Sequence, residues 1–261
     1  MHEPHNPRQQ ATGTRSGCVT PRASLMITCL GDTLLPRMGM AAAGVLQRLG
    51  VQVGFPRSQA CCGQVALNSG YPEEARRMAL ATITAFRESP TVVGISGSCV
   101  AMARHQYPLM FEGTSHEAEA TDLAARTYEF SEYLVHVLGV TELPATLHCR
   151  ATLHHSCHTQ RVLGVEDEPA RLLQMVEGLE LIPLPRARDC CGFGGTFAVI
   201  MPDVSASMAA EKAEHVLETR AQVLVGLDPS CLLNIGGLLA RCGSAVRVLH
   251  LAELLDQAWR R

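Results

Sequence analysis

Aromatic residues are scarce. Phe, Trp and Tyr make up 4% of the 261 residues, with a single Trp. Little is therefore available to stack on bases, and a net charge of −3 with no basic patch gives nucleic acid no electrostatic hold. No apolar run approaches the ~20 residues that a membrane-spanning helix needs. The opening Met1-His2-Glu3-Pro4-His5-Asn6-Pro7 lacks the charged-then-apolar order of a secretory signal. The expectation is a cytoplasmic protein whose thiols stay reduced. Three further patterns are missing: the Cys-x₂₋₄-Cys pairs of ordinary zinc sites, the Cys-x₂-Cys-x₂-Cys run of ferredoxin modules, and a G-x-G-x-x-G turn after a strand, which excludes a dinucleotide fingerprint. What remains is a chain that is 47% hydrophobic and 18% charged, long enough for one large or two ordinary globular units.

Cysteine is what the sequence has in excess, eleven in all. Two adjacent pairs, Cys61-Cys62-Gly63 and Cys190-Cys191-Gly192, each have a lone Cys upstream and another downstream. The two sets are Cys29, Cys61, Cys62, Cys99 and Cys157, Cys190, Cys191, Cys231, with corresponding members 128, 129, 129 and 132 positions apart. Roughly 0.4 Cys-Cys dipeptides are expected by chance, so two, both followed by Gly, mean an internal duplication. Adjacent thiols before a glycine suit a backbone that must hold two sulfurs at one point and pass close to something bulky. Cys18, Cys149 and Cys242 fall outside the repeat and are expected not to be ligands.

The element pattern repeats with the cysteines. Residues 1–24 are polar and aperiodic and read as a disordered tail. The first half, 25–140, carries strands over 25–30, 51–55 and 91–95 and helices over 38–49 and 73–87, followed by an acidic connector over 112–122 and a helical stretch over 130–138. Residues 141–150 read as a linker. The second half, 151–261, repeats the order with strands over 151–155, 179–184, 222–227 and 246–249 and helices over 169–176, 203–219 and 252–259. Alternating strands and helices predict an α/β fold of two similar, pseudo-duplicated halves, each a small, mainly parallel sheet flanked by helices. Cys29, Cys99, Cys157 and Cys231 then sit at or just past strand ends, where open α/β sheets bind ligands. Helix N-termini at the same place favour an anionic, thiolate-held centre. Four thiolates per half match the ligation of an iron–sulfur cluster. The alternatives are two Cys₄ zinc sites that only stabilise the fold, and buried structural thiols.

At these residues the chain resembles the cysteine-rich CCG domain family, whose motif is Cys, a spacer, Cys-Cys-Gly, a second spacer, then Cys-x-x-Cys. The resemblance covers about residues 25–257. The family's members include the CCG-bearing chain of heterodisulfide reductase and the glycolate oxidase iron–sulfur protein; the chain is most similar to the shorter lactate utilisation A proteins. The stretches that carry this likeness include Cys61-Cys62-Gly63-Gln64, Ser96-Gly97-Ser98-Cys99, Ser156-Cys157-His158 and Cys190 through Phe197. The resemblance implies an oxidoreductase subunit that transfers electrons through a [4Fe-4S] cluster in each half, within a complex oxidising L-lactate to pyruvate. It also implies partner subunits, one of them a ferredoxin-type iron–sulfur protein, and leaves room for a small carboxylate substrate on this chain. A thiol or disulfide reductase of the heterodisulfide type is the alternative within the family.

The family's first Cys of Cys-x-x-Cys is Ser96 in one half and Asp228 in the other. Asp228 is therefore a candidate carboxylate ligand, or else the N-cap of the helix after it; Ser96 is a weaker candidate. His154, His155 and His158 crowd Cys157. His154 and His158, with Ser96, are expected as hydrogen-bonding neighbours of the ligands, or as proton carriers. Arg161 and Lys212 are either solvated helix residues or cations that offset the charge of the site.

Overall fold

The computed structural model describes residues 20–259; Cys18 and most of the stretch read as a tail lie outside them. Eight strands form two four-stranded, wholly parallel sheets. The first sheet holds β1 (Arg22–Met26), β2 (Gln52–Gly54), β3 (Val92–Gly94) and β4 (Thr127–Glu129) in the order β2-β1-β3-β4. The second holds β5 (Thr146–His154), β6 (Glu177–Ile182), β7 (Val223–Gly226) and β8 (Arg247–His250) in the order β6-β5-β7-β8. The orders are identical, so the duplicated cysteines sit on duplicated topology.

Most elements fall where the pattern places them. Helices Pro36–Arg48, Pro72–Ala85 and Pro202–Glu218 each take Pro in the first turn, where its missing N–H costs nothing. Three differences have physical causes. The first strand starts at Arg22 and ends at Met26, ahead of the expected 25–30, because Thr28 adopts φ +67° and Cys29 already opens a helix. Strand β5 takes in the second half of the stretch expected as a linker, because residues 146–150 pair with β6. The acidic connector is a helix, Glu117–Ala125, and it leads into β4, an edge strand too short to leave a periodic trace.

The halves share one core. A single apolar cluster runs from Leu25, Ile27 and Leu46 through Phe130 and Leu134 to Leu153, Leu172, Val225 and Leu254. Each half lends its last helix to the other. The C-terminal helix Leu251–Trp259 meets Pro36–Arg48, with Arg48 Nη2 2.7 Å from Asp256 Oδ1. The turn after β4 meets Glu168–Gln174, with His136 Nε2 2.6 Å from Glu168 Oε1. This exchange brings the carboxyl ends of the two sheets together. Among the described residues, no helix is long and apolar enough to cross a membrane.

Candidate metal centre

All eight repeat cysteines line one cleft of about 760 Å³, open solvent included. Each arrives from the carboxyl end of a parallel strand. Cys29 follows β1 and Cys157 follows β5, both at the start of a helical turn. Cys99 and Cys231 lie in the first turns of helices Gly97–Ala101 and Pro229–Arg241, after β3 and β7. The Cys-Cys-Gly turns come after β2 and β6. Gly63 and Gly192 are left-handed, with φ +87° and +81°, and a Cβ there would lie 3.0 Å from the Ala75 carbonyl oxygen and 2.7 Å from that of Ser205. Only glycine lets each turn press against its helix.

Within each quartet the sulfurs are in contact. Cys29 donates to Cys61 at 3.6 Å and Cys62 to Cys99 at 3.2 Å. In the second half Cys191 donates to Cys231 at 3.0 Å, and Cys157 is hydrogen-bonded to Cys190. Cys61 is pulled down to about 2, first by Cys29 and then by Cys62; Cys190 is pulled to the same level by Cys157 and Cys191. The Gly192 N–H adds a bond to the Cys190 sulfur at 3.4 Å. Cys29, Cys62, Cys157 and Cys191 are pushed up, chiefly by their thiol partners and by burial. Each quartet thus has one thiol held low by its neighbours among others that are pushed up. These close contacts are pairwise, and among the described residues no three thiols of a quartet lie within 4.8 Å of one another, so the donor sets suit an iron–sulfur cluster, whose ligands bind different irons, better than one ion with its sulfurs ~3.8 Å apart.

The carbonyl between each Cys pair and its glycine is held by a different device in each half. Tyr107 Oη donates to Cys62 O and Asn234 Nδ2 to Cys191 O, both at 2.8 Å. Asn234 lies one helical turn past Cys231 and Tyr107 eight residues past Cys99, but nothing in the sequence shows that either reaches a Cys-Cys-Gly turn.

Asp228 is spoken for. Its Oδ1 accepts the Ser230 N–H at 3.1 Å as the N-cap of its own helix, along with the Ser230 hydroxyl at 2.5 Å. Its Oδ2 accepts the Ser98 N–H at 2.8 Å and the Ser96 hydroxyl at 3.3 Å. The cap is what the side chain does, and it caps two helices. His158 spans the halves, with Nε2 3.0 Å from Gln64 Nε2 and Nδ1 3.6 Å from Cys157 Sγ. His155 is half-buried on the strand end, its pKa lowered by burial. His154 does not make the hydrogen bonds expected of it: it is 1% exposed, and neither ring nitrogen has a partner. Burial, and then the Lys212 cation, lowers its pKa to about 3. Among the described residues, the one group of metal-capable atoms within 4.8 Å of one another joins His154, Cys191 and Cys231.

Lys212 is not a solvated helix residue. It is 1% exposed, and its Nζ donates to Arg186 O at 2.5 Å, behind the second Cys-Cys-Gly turn. Its position among Ala209, Ala213 and Val216 on the buried face of the helix was the available sign. Arg161 is exposed and donates to Arg188 O. Cys149 lies within β5 and Cys242 just past the helix Pro229–Arg241, both away from the cleft.

The CCG cysteine-rich domain matches twice, at residues 24–104 and 151–236. Lactate utilization protein A of Geobacillus kaustophilus is 51% identical over 236 residues, covering 90% of this chain and 98% of that protein. The protein of the same name from Oceanobacillus iheyensis is 48% identical over 236 residues, covering 90% and 96%. Among solved structures, a hypothetical protein from Helicobacter pylori superposes with a TM-score of 0.66 at 7% identity, over 92% of this chain and 49% of that one. That likeness is one of fold.

Proposed function

The chain belongs to the CCG cysteine-rich domain family, and on that premise we propose that it is an iron–sulfur electron-transfer subunit of a multi-protein system that oxidises L-lactate to pyruvate. The observation that carries the reading is the convergence of two complete thiol quartets on one cleft. The names of its relatives point to lactate. Iron–sulfur clusters, when bound, take up and pass on single electrons. Oxidising a 2-hydroxy acid to a 2-oxo acid releases two electrons and two protons, and two one-electron sites in one cleft match that count.

The residues supply the rest. Cys61 and Cys190 are the thiols whose neighbouring sulfurs most favour loss of the proton. Cys62, Cys99, Cys191 and Cys231 lie buried, which keeps water from half of each donor set. The Gly192 N–H and the Lys212 cation stabilise negative charge at the second site, which favours its reduced state. Gln64 and His158 close the floor between the quartets. Partner subunits, including a ferredoxin-type protein, would deliver or remove the electrons.

Two observations favour other readings. The open cleft beside both quartets suits direct sulfur chemistry, as in a thiol or disulfide reductase. The all-thiol composition of each quartet also suits a zinc in each half. Anaerobic purification followed by iron, sulfide and zinc analysis and low-temperature paramagnetic spectra tests all three. Iron with matching sulfide, and a signal reduced by lactate only when the partner subunits are present, is the expected result. Zinc without sulfide would overturn it, and a signal altered by disulfides alone would favour the reductase.

A further inference from the structure

We propose that His154 is a nitrogen ligand of the centre held by Cys157, Cys190, Cys191 and Cys231, so that the second site joins imidazole to thiolates while the first is held by sulfur alone. The inference rests on the reading of the quartets as metal-holding, and it adds what distinguishes them.

A buried imidazole without a hydrogen-bond partner is left with an uncompensated desolvation cost. Both ring nitrogens of His154 are in that position at 1% exposure. Yet a ring nitrogen, Cys191 Sγ and Cys231 Sγ all lie within 4.8 Å of one another. Around one tetrahedral metal, ligands at ~2.0 Å for nitrogen and ~2.3 Å for sulfur stand ~3.5–3.8 Å apart. A movement of about 1 Å therefore brings all three onto a common ion. The neutral ring is the ligating form.

Sheet register identifies what the duplication has changed. His154 is paired with Gly226 in β7, and Met26 with Gly94 in β3. Met26 is thus the counterpart of His154, and a thioether is a weak donor. The carboxylate that might have been the non-thiolate ligand, Asp228, has both oxygens engaged by Ser96, Ser98 and Ser230. The His154 ring is a buried donor that no other group engages, whereas His158 is held by Gln64 and Cys157. A neutral imidazole added to four thiolates leaves the charge of the centre unchanged and alters its ligand set, which is what makes the second site unlike the first.

The test is pulsed paramagnetic resonance on the full chain, purified anaerobically and reduced, with natural-abundance and ¹⁵N-histidine-labelled samples. The expected result is nitrogen coupling of directly bonded strength on one of two centres, which changes with the label and disappears in His154→Met. That variant should change the spectrum of one centre and leave the other in place. Iron and sulfide present in wild-type protein with no directly bonded nitrogen on either centre would overturn the inference while leaving the electron-transfer reading intact. Because the wild-type spectrum decides, a variant that fails to fold does not rescue it. If the metal proves to be zinc, the electron-transfer reading falls. X-ray absorption then decides the inference: a Zn–N shell on part of the metal supports it, and an all-sulfur shell overturns it.

Discussion

Asp228 hydrogen-bonds Ser96, the residue that holds its own place in the other half. The Ser96 hydroxyl reaches Asp228 Oδ2 at 3.3 Å, and both residues are N-caps of the helices that carry Cys99 and Cys231. The two sites are therefore tied at the point where the halves meet. A single carboxylate orders the first turn of both helices: one oxygen takes the Ser98 N–H, the other the Ser230 N–H.

Asp228→Ala should consequently disturb both centres. It strips the cap from one helix and leaves the Ser98 N–H of the other without its partner, at a cost of about 2–4 kcal/mol. Ser96→Ala should cost less than about 1 kcal/mol, because Ser98 keeps its bond to Asp228. Thermal unfolding and the metal spectra of both variants check this; an Asp228→Ala protein altered only in the second centre would contradict it.

Gly97 sits where helix Gly97–Ala101 crosses the second half. A Cβ on Gly97 would lie 1.9 Å from Thr159 Oγ1 and 3.0 Å from its Cβ. Gly97→Ala should destabilise the protein by about 1–3 kcal/mol or more through overpacking, and Thr159→Ala in the same chain should restore part of that. Melting temperatures of the two singles and the double give the coupling directly; no recovery in the double would show that the clash lies elsewhere.

Cys61→Ser and Cys190→Ser address the independence of the quartets. Each removes the central thiol of one set only, and the sulfur contacts run within a half. Each variant should lose about half of the bound metal, with the signal of the other centre retained. Loss of all metal from either variant would mean one joint centre across the cleft.

Lys212→Met keeps the length of the side chain and removes a buried cation near Cys190 and Cys191. At an effective dielectric constant of about 20 a charge several ångströms away changes a potential by on the order of 100 mV, and removing a cation makes reduction harder. The second centre's midpoint potential should fall while the first stays in place. Equal potentials in wild type and variant would show that Lys212 serves only to hold Arg186.

Glu129, at the end of β4, is fully buried; burial raises its pKa to about 7, although its bonds to Ser131 and Glu132 act the other way. Between its ordinary value of 4.5 and 7 the folded chain keeps a proton that the unfolded chain has released. Stability from this group is therefore present at low pH and is lost as the pH rises through that window, by at most about 3 kcal/mol. Glu129→Gln, neutral throughout, should lose less stability between about pH 5 and 8 in urea titrations than wild type. Parallel curves would remove Glu129 as the cause.

The sequence alone determined the duplication, the eight cysteines, the parallel α/β halves and the placement of each thiol past a strand end. These follow from local chemistry: alternating periods, Pro and Gly at element ends, and spacing that survives duplication. The tertiary structure decided the rest. That both quartets open on one cleft depends on the exchange of terminal helices, seen in Arg48 with Asp256, which no spacing encodes. Asp228 reads as a cap or a ligand from its type alone; only the approach of Ser96 and Ser98 from 132 and 130 residues away leaves neither oxygen free. Lys212 and His154 look like solvent and hydrogen-bonding residues until packing takes the water from them. Desolvation belongs to the assembled fold, and that is why the features that make the two sites unlike each other are legible only there.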